Sequence, residues 1–170
     1  MNFNEMPWGD ITKIEAEEIP DFDIITGGFP CQPFSIGGYR KGFKDTRGTL
    51  FFELERIIKI RKPKAFFLEN VSGIISHDKG KTLEIIEKRL KKLGYHFRWK
   101  VMNACYYGIP QNRNRWYCVG FRNDLDIGFE DETNSDYKKI FKFPRKRELS
   151  RKVSDVVVDI DDRSYQITDT

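Results

Sequence analysis

A cysteine that lies between two prolines is the first candidate for chemistry in this chain. Residues 23–27 predict a short buried strand, and Cys31 follows it between Pro30 and Pro33. Proline fixes its own φ and offers no N–H, so it restricts the backbone on both sides of the thiol. Ligands bind at the carboxyl ends of strands in open α/β sheets, which makes this thiol a candidate nucleophile. A lone cysteine is a weak indication, because most cysteines are small buried apolar residues.

An acid and two arginines also lie next to the ends of predicted strands. Glu69 comes directly after the apolar run 65–68. Arg113 and Arg115 stand two residues apart, just before a strand predicted over residues 116–121. In an extended segment, side chains two residues apart point to the same side. Together these groups would bind an anionic or polarised substrate, although Glu69 could simply end a strand and the arginines could neutralise surface carboxylates.

The segments that would position these groups alternate between strand and helix. Strands are predicted over residues 23–27, 65–68, 96–102 and 116–121, helices over 49–61 and 82–93, and a long basic loop over 30–48. Residues 65–68 show no polar alternation, which is typical of a parallel strand covered on both faces. The alternation predicts an α/β fold with a mostly parallel sheet. The last two strands have no helix between them, so they predict an antiparallel hairpin at the sheet edge.

Length and composition indicate a globular domain. The chain has 170 residues, and it has neither a run of about 18 apolar residues nor a basic segment leading into an apolar one at its start. The cysteines Cys31, Cys105 and Cys118 are widely spaced, which argues against a zinc site and a disulfide framework. We therefore expect a cytoplasmic protein with no membrane segment and no metal.

The net charge of +4 is unevenly distributed. The first thirty residues hold one lysine and seven acids, whereas residues 138–152 hold eight basic residues and one acid. A basic run is more often a solvated face than a binding site, but nucleic-acid phosphates are the commonest large partner for such charge. The pattern weakens after residue 124, where only residues 153–160 suggest an ordered segment.

Three separated motifs resemble signature motifs of the DNA cytosine-5 methyltransferases, and of the bacterial restriction-modification enzymes in particular. These motifs are GFPCQPFS at residues 28–35, ENV at residues 69–71 and QNRNR at residues 111–115. The runs at residues 47–51 and 107–110 also resemble the family, and the likeness extends over residues 8–123. The resemblance implies a partial S-adenosylmethionine-dependent methyltransferase sheet of Rossmann-like type that lacks its first strands.

The resemblance also implies a role for each reactive group. Cys31 would add to C6 of a cytosine flipped out of double-stranded DNA, which makes C5 nucleophilic toward a methyl donor. Glu69 would act as the acid at N3, and Arg115 would contact O2 with Arg113 beside it. The implied methyl donor is S-adenosylmethionine.

Binding residues follow from the same resemblance. Asp10 would contact the adenine of the cofactor, Ile11 would be its apolar neighbour, and Pro30 would line the cofactor. The loop after Cys31 would close on the DNA, and three of its residues would meet the phosphate backbone or the opened duplex: Gln32, Ser35 and Arg47.

The chain departs from the family in two regions. It lacks the glycine-rich turn and the acid that hold the cofactor's methionine and ribose, and residues 124–170 are too few for a target-recognition domain and a final helix. We expect residues 1–123 to be a partial catalytic domain, and residues 124–170 to be a basic extension that leads toward an absent recognition domain.

These departures leave two hypotheses open. In the first, activity needs a complementing polypeptide. In the second, the chain is an inactive remnant that acts at most as a DNA-binding or protein-interaction module. A sheet without its first strands exposes an apolar edge and one face, which predicts self-association or marginal stability. A thiol hydrolase has less support, because neither His77 nor His96 lies at a strand end beside Cys31.

Overall fold

The structure, a computed structural model, describes residues 9–30, 50–130, 137–150 and 152–155. The strands are β1 Ile24–Gly28, β2 Ala65–Val71, β3 Tyr95–Asn103, β4 Asn114–Arg122, β5 Ile127–Phe129 and β6 Lys139–Phe141, and the helices are α1 Leu50–Arg61 and α2 Lys81–Lys92. Short 3₁₀ turns lie at Ile11–Lys13, Ser72–Ile75, His77–Gly80, Ala104–Tyr107 and Val153–Asp155. The order of the elements confirms the α/β fold predicted from the sequence.

Four strands form one mixed sheet in the order β1-β2-β4-β3. β1 is parallel to β2, with Gly28 opposite Glu69. β4 is antiparallel to β2, with Arg115 opposite Val71. The last two strands of the sheet, β3 and β4, are neighbours at one edge, as predicted. β4 lies between β3 and β2 and is antiparallel to β2.

The two helices cover one face of this sheet. Their apolar side chains recur at helical spacing and pack against alternate residues of the strands. The core contains Phe51, Leu54 and Ile58 of α1, Leu83, Ile86 and Leu90 of α2, Phe66 and Leu68 of β2, and Trp116 and Cys118 of β4. Gly27 allows β1 to approach α1, since a Cβ at this position would lie 2.9 Å from both δ carbons of Leu54.

The opposite face of the sheet carries exposed apolar side chains. Along β2, Phe66 is 1% exposed and the next residue, Phe67, is 39% exposed. Val71 of β2 and Ile24 of β1 are 43% and 62% exposed on the same side as Phe67. The prediction that residues 65–68 are covered on both faces is therefore wrong for the described part of the chain. Apolar residues fill both faces of β2, but the helices cover only one of them.

A second, smaller sheet follows the first one. β5 and β6 pair in parallel, and the rings of Phe129 and Phe141 have centroids 5.8 Å apart. Phe129 also packs against Phe121 of β4, with centroids 5.5 Å apart. His96 supports this sheet, since its Nε2 donates to the carbonyl of Ile127 at 2.6 Å. The sequence did not predict these strands, because three residues are too few for an alternating pattern to be recognised. Of the segment predicted over residues 153–160, the described part is a 3₁₀ turn, and residues 156–160 lie outside the described ranges.

The chain divides into two compact units. The first contains Met1–Met102 and Asn114–Pro144, and the second contains Asn103–Arg113 and Arg145–Thr170. The domain boundary predicted at residue 123 stays a prediction. Within the described residues, neither helix is long and apolar enough to cross a membrane.

Tyr95 links the stability of the core to pH. Its hydroxyl donates to the carbonyl of Pro63 at 2.5 Å, and burial raises the pKa of Tyr95 to about 12. The folded state therefore holds the phenolic proton more tightly than the unfolded state, whose tyrosine pKa is about 10. This contribution to stability is complete below about pH 10 and is lost as the pH rises toward 12.

We expect Tyr95→Phe to lower the free energy of unfolding by about 1 kcal/mol at neutral pH, because the hydrogen bond is lost. Between about pH 10 and 12 the variant should lose less stability than the wild type, because it has no buried phenol to ionise. Urea unfolding across this range measures both effects. Parallel stability curves for the two proteins would contradict the assignment.

Candidate active site

Glu69 and Arg115 form an ion pair on the exposed face of the sheet. Nε of Arg115 lies 2.8 Å from Oε1 of Glu69, and the side chains are 18% and 36% exposed. Arg115 is opposite Val71, two residues along β2 from Glu69, so the two side chains are diagonal neighbours on one face. Nη1 of Arg115 also donates to the carbonyl of Asn114 at 2.8 Å. The structure thus brings together two of the residues predicted for the site.

The end of β1 lies directly beside Glu69. Gly28 is the register partner of Glu69, and a Cβ at Gly28 would lie 3.3 Å from Oε2 of Glu69. The glycine therefore leaves room for the carboxylate. The chain continues from Gly28 through the exposed Pro30 toward Cys31. Four predicted site residues lie outside the described ranges: Cys31, Gln32, Ser35 and Arg47.

A buried asparagine ties the end of β1 to β2. Asn70 is 2% exposed, and its Nδ2 donates to the carbonyl of Phe29 at 2.7 Å. Its Oδ1 accepts from the N–H of Val71 at 2.8 Å. In the sequence, Asn70 is only the middle residue of a motif. The signal for its structural role is its place in β2, two residues after the buried Leu68, where the pleat requires a buried side chain.

Asp10 caps the 3₁₀ turn Ile11–Lys13. Its Oδ1 accepts from the N–H of Thr12 at 3.0 Å and from the hydroxyl of Thr12 at 2.8 Å. The hydrogen bond from the Thr12 N–H, followed by the one from its hydroxyl, lowers the pKa of the Asp10 carboxyl. Asp10 is therefore ionised at neutral pH, and its Oδ2 has no hydrogen-bond partner within the described ranges. Ile11 is half-buried and packs against the core.

Arg56 holds this turn against α1. Its Nη2 donates to the carbonyl of Ile14 at 2.7 Å and to that of Ile11 at 3.2 Å, while its Nε binds Glu53 at 2.8 Å. The sequence did not reveal this function, because an arginine that binds backbone carbonyls requires no particular residue type at the other end. The only available signal was the acid three residues earlier on the same helix. Asp10 and Ile11 form no hydrogen bond or ion pair with Glu69 or Arg115 in the described part of the chain.

Arg113 belongs to the second compact unit, in the loop 103–113. The side-chain oxygen of Asn103 accepts from the N–H groups of Cys105 at 3.0 Å and Arg113 at 3.3 Å. The N–H of Ala104 donates to the carbonyl of Arg113 at 3.1 Å. These bonds close the loop at its base and leave the Arg113 side chain exposed. The predicted action of Arg113 beside Arg115 stays a prediction.

Cys118, His77 and His96 have structural roles. Cys118 is fully buried, and burial raises the pKa of its thiol, so it stays protonated and unreactive. His77 forms a hydrogen bond with the hydroxyl of Thr82 at 2.7 Å, and His96 donates to Ile127. Among the described residues, no group of three or more histidines, cysteines and acids is arranged to hold a metal ion.

We expect Asn70→Ala to lower the free energy of unfolding by about 1–3 kcal/mol, because it leaves the buried carbonyl of Phe29 and the part-buried N–H of Val71 without their partner. Asn70→Asp should cost at least as much, because a carboxylate cannot donate to the carbonyl of Phe29. Asn123→Ala removes an exposed amide whose Oδ1 lies 3.2 Å from Nδ1 of His96, and the loss of this solvent-exposed contact should cost about 0.5 kcal/mol. Urea unfolding compares the three variants, and equal stability for Asn70→Ala and Asn123→Ala would refute the role of Asn70.

Comparison with known proteins relates this chain to a family. The family model for the C-5 cytosine-specific DNA methylases matches residues 1–170. The Type II methyltransferase M.HhaI of Haemophilus parahaemolyticus is 49% identical over 158 residues, which cover 93% of this chain and 45% of the relative. The Type II methyltransferase M.DsaV of Dactylococcopsis salina is 45% identical over 168 residues, which cover 99% of this chain and 45% of the relative.

A solved structure is similar in fold. The Entamoeba histolytica methyltransferase EhMeth matches with a TM-score of 0.66 at 23% identity, over 98% of this chain and 49% of that chain. This chain spans less than half the length of the curated relatives described above. The match to the family model and the identity to these relatives agree with the three motifs found in the sequence. The chain therefore belongs to the C-5 cytosine-specific DNA methylase family.

Proposed function

We propose that this chain supplies the groups that attack and polarise the base in a DNA cytosine C5 methyltransferase. The observation that carries the proposal is the Glu69–Arg115 ion pair, which lies beside Gly28 at the end of the strand that leads to Cys31. This arrangement places a carboxyl group and a guanidinium group with several hydrogen-bond donors side by side, near the ends of β2 and β4. A flipped cytosine of duplex DNA offers N3 and O2 to such a pair.

The proposed reaction begins with the Cys31 thiolate. Its sulfur forms a bond to C6 of cytosine, and the electron pair of the C5–C6 bond becomes available at C5. Glu69, as the acid, would donate a hydrogen bond to N3 from a protonated Oε2 while Oε1 accepts from Arg115, and Arg115 would also donate to O2, so that the negative charge that develops on the ring is stabilised. C5 would then take the methyl group that S-adenosylmethionine supplies, with S-adenosylhomocysteine as the leaving group. It would lose its proton to solvent and expel the Cys31 thiolate as the C5–C6 double bond re-forms.

The ion pair would orient both groups before the base arrives. Nε of Arg115 binds Glu69 and Nη1 binds the carbonyl of Asn114, while Nη2 has no partner among the described residues. Nη2 is therefore available to the O2 atom of a base. Groups that are held in place before binding need little reorganisation during the reaction, which is the main source of electrostatic catalysis.

The residues around Asp10 fit the adenine end of S-adenosylmethionine. This group, when bound, supplies an electrophilic methyl. The ionised Asp10 would accept a hydrogen bond from the adenine amino group through Oδ2, and Ile11 would offer an apolar contact. Pro30 would line the same group. Arg56 would keep Asp10 in position through its bonds to Ile11 and Ile14.

We further infer that additional polypeptide completes the active protein. Ile24, Phe67 and Val71 are exposed on the sheet face opposite the helices, and an apolar face of this kind is a surface on which further protein packs. A complementing chain is the proposed occupant, and self-association is the alternative. An inactive chain that only binds DNA or protein remains the competing hypothesis, and it predicts no methyl transfer in any combination.

Co-expression tests the proposed function. The chain and the products of neighbouring reading frames are expressed together, and genomic DNA is assayed for 5-methylcytosine. We expect methylation with the complement and none from the purified chain alone. Methyl transfer to duplex DNA by the chain alone would refute the need for a complement, whereas no methylation with any neighbouring product would favour the inactive module.

In the complemented protein, Cys31→Ser should reduce methylation below detection, because a serine hydroxyl is not ionised near neutral pH. Cys118→Ala is the matched control. It should retain methyl transfer while losing about 1 kcal/mol of stability, since it removes a buried sulfur that the chemistry does not use. A duplex with 5-fluorocytosine provides a second measurement, because its C5 fluorine cannot leave as a proton and the thioether persists. Activity that survives in Cys31→Ser would show that the nucleophile is another residue.

Glu69→Gln should lower kcat by about 10²–10⁴-fold, because the acid at N3 is lost. Arg115→Lys should also lower kcat, and the double variant should lose less than the product of the single losses, because the two side chains contact each other. Asp23→Asn is the control, since Asp23 is an ion-paired carboxylate that lies 2.9 Å from Lys64 at the other end of β1. Steady-state methyl transfer measures all four variants. An effect of Asp23→Asn as large as that of Glu69→Gln would contradict the role of Glu69.

A further inference from the structure

The basic segment 138–152 contains two kinds of charge. Lys138 lies 3.8 Å from the carboxylate of Asp126, and Lys142 lies 3.1 Å from that of Glu130. Lys146 and Arg147 are exposed and have no carboxylate within ion-pair distance in the described ranges. Uncompensated cations attract a polyanion most strongly, because binding neutralises phosphates and releases their counterions. Lys139, Arg145 and Lys152 likewise have no carboxylate partner in the described ranges, so the unpaired charge is densest at residues 145–147, where three basic residues are consecutive.

Two contacts fix this pair of residues on the turn Ala104–Tyr107. Nζ of Lys146 lies 4.4 Å from the ring centroid of Tyr106, in a cation–π contact. The N–H of Arg147 donates to the carbonyl of Tyr106 at 2.7 Å. Residues 145–150 form no helix or strand, so these contacts determine where their charges lie.

The same residues line an open groove of about 510 Å³, together with Cys105, Glu148 and Leu149. Tyr106 is 48% exposed, which leaves its hydroxyl accessible as a hydrogen-bond donor. A lysine, an arginine and a tyrosine hydroxyl are donors that proteins use to bind backbone phosphates of DNA. Glu148 is the only acid among residues 145–148, which contain three basic residues, so the groove keeps a positive charge.

The turn under this groove is itself held in place. Asn103 accepts hydrogen bonds from the N–H groups of Cys105 and Arg113, and its Nδ2 donates to Oδ1 of Asn112 at 2.6 Å. The loop that carries Tyr106 is therefore the closed loop that also carries Arg113. A surface built on a closed loop loses little conformational entropy when it binds a ligand.

We propose that Tyr106, Lys146 and Arg147 form a binding surface for the backbone phosphates of duplex DNA. This proposal rests on the proposed function, which makes DNA the polyanion that the protein meets. Phosphate contacts carry no sequence information, so the surface adds affinity for any duplex and fixes the position of the DNA on the protein. It acts in addition to the residues assigned to the cytosine.

Fluorescence anisotropy with the purified chain and a labelled duplex tests this surface without any methyl transfer. We expect the double variant Lys146→Gln/Arg147→Gln to bind about tenfold more weakly. The slope of log K against log salt, measured between about 50 and 200 mM, should fall in magnitude by about 1.8, or 0.9 for each lost phosphate contact. Tyr106→Phe keeps the ring under Lys146 and should cost less affinity than Tyr106→Ala.

The matched control is Lys138→Gln/Lys142→Gln. It removes the same formal charge, but from lysines that already have carboxylate partners, so its losses in affinity and slope should be less than half as large. Equal losses in the two double variants would show that only net charge matters and would overturn the proposal. Thermal unfolding shows whether both variants are folded. We expect that they are, because all four substituted residues are exposed.

Two further outcomes would also overturn this surface. One is wild-type binding to phosphatidylserine vesicles as tight as binding to the duplex at the same salt concentration. The other is the absence of duplex binding by the wild type. Neither outcome decides the proposed function, which is measured separately as 5-methylcytosine formed by the complemented protein. Conversely, duplex binding that depends on Lys146 and Arg147 would persist if methyl transfer proved to be absent.

Discussion

The register of β2 with its two neighbours is the constraint on which the candidate site depends. The parallel pairing with β1 sets Gly28 beside Glu69, and the antiparallel pairing with β4 sets Arg115 diagonally from the same carboxylate. Side chains alternate across a sheet, so a slip of one residue in either pairing would move Glu69 or Arg115 to the helix-covered face. The core opposes such a slip, because Phe66 and Leu68 would then leave the apolar interior. Packing of the core on one face thus determines which side chains are neighbours on the other face.

The ends of the strands need their own supports, because ladder hydrogen bonds stop there. Asn70 provides one support by filling a core position with an amide that binds the carbonyl of Phe29 and the N–H of Val71. Burying an amide is unfavourable unless both of its ends have partners, and here both do. Gly28 contributes by having no side chain, because a Cβ at this position would lie 3.3 Å from Oε2 of Glu69. Arg56 stabilises the turn that follows Asp10 by donating to the carbonyls of Ile11 and Ile14. The residues proposed to bind the base and the cofactor are thus positioned by other residues that have no proposed part in the reaction.

The sequence was sufficient for residues whose type belongs to a motif and insufficient for contacts that only the fold creates. Glu69 and Arg115 could be predicted, because a motif fixes their types and an extended segment fixes their direction. The order of strands and helices could be predicted from periodicity. The uncovered face was expected from the first strands that the resemblance implies are missing, but not from residue type, since Phe67 is as apolar as the buried Phe66 and Leu68. Asn70 binds a backbone carbonyl 41 residues away in the sequence, and Arg56 binds two that are 42 and 45 residues away. No local sequence pattern records contacts over such separations.

The exposed apolar face and the proposed catalytic pair lie on the same side of the sheet, which links assembly to chemistry. Glu69 is opposite Gly28 and lies between Phe67 and Val71 along β2, and its side chain is 36% exposed. A polypeptide that packed on Phe67 and Val71 would therefore also exclude water from the Glu69–Arg115 pair. Lower local dielectric strengthens the hydrogen bonds that each of the two groups would make to a bound base. The surface on which further polypeptide is proposed to pack is thus the surface whose burial would make the proposed site effective.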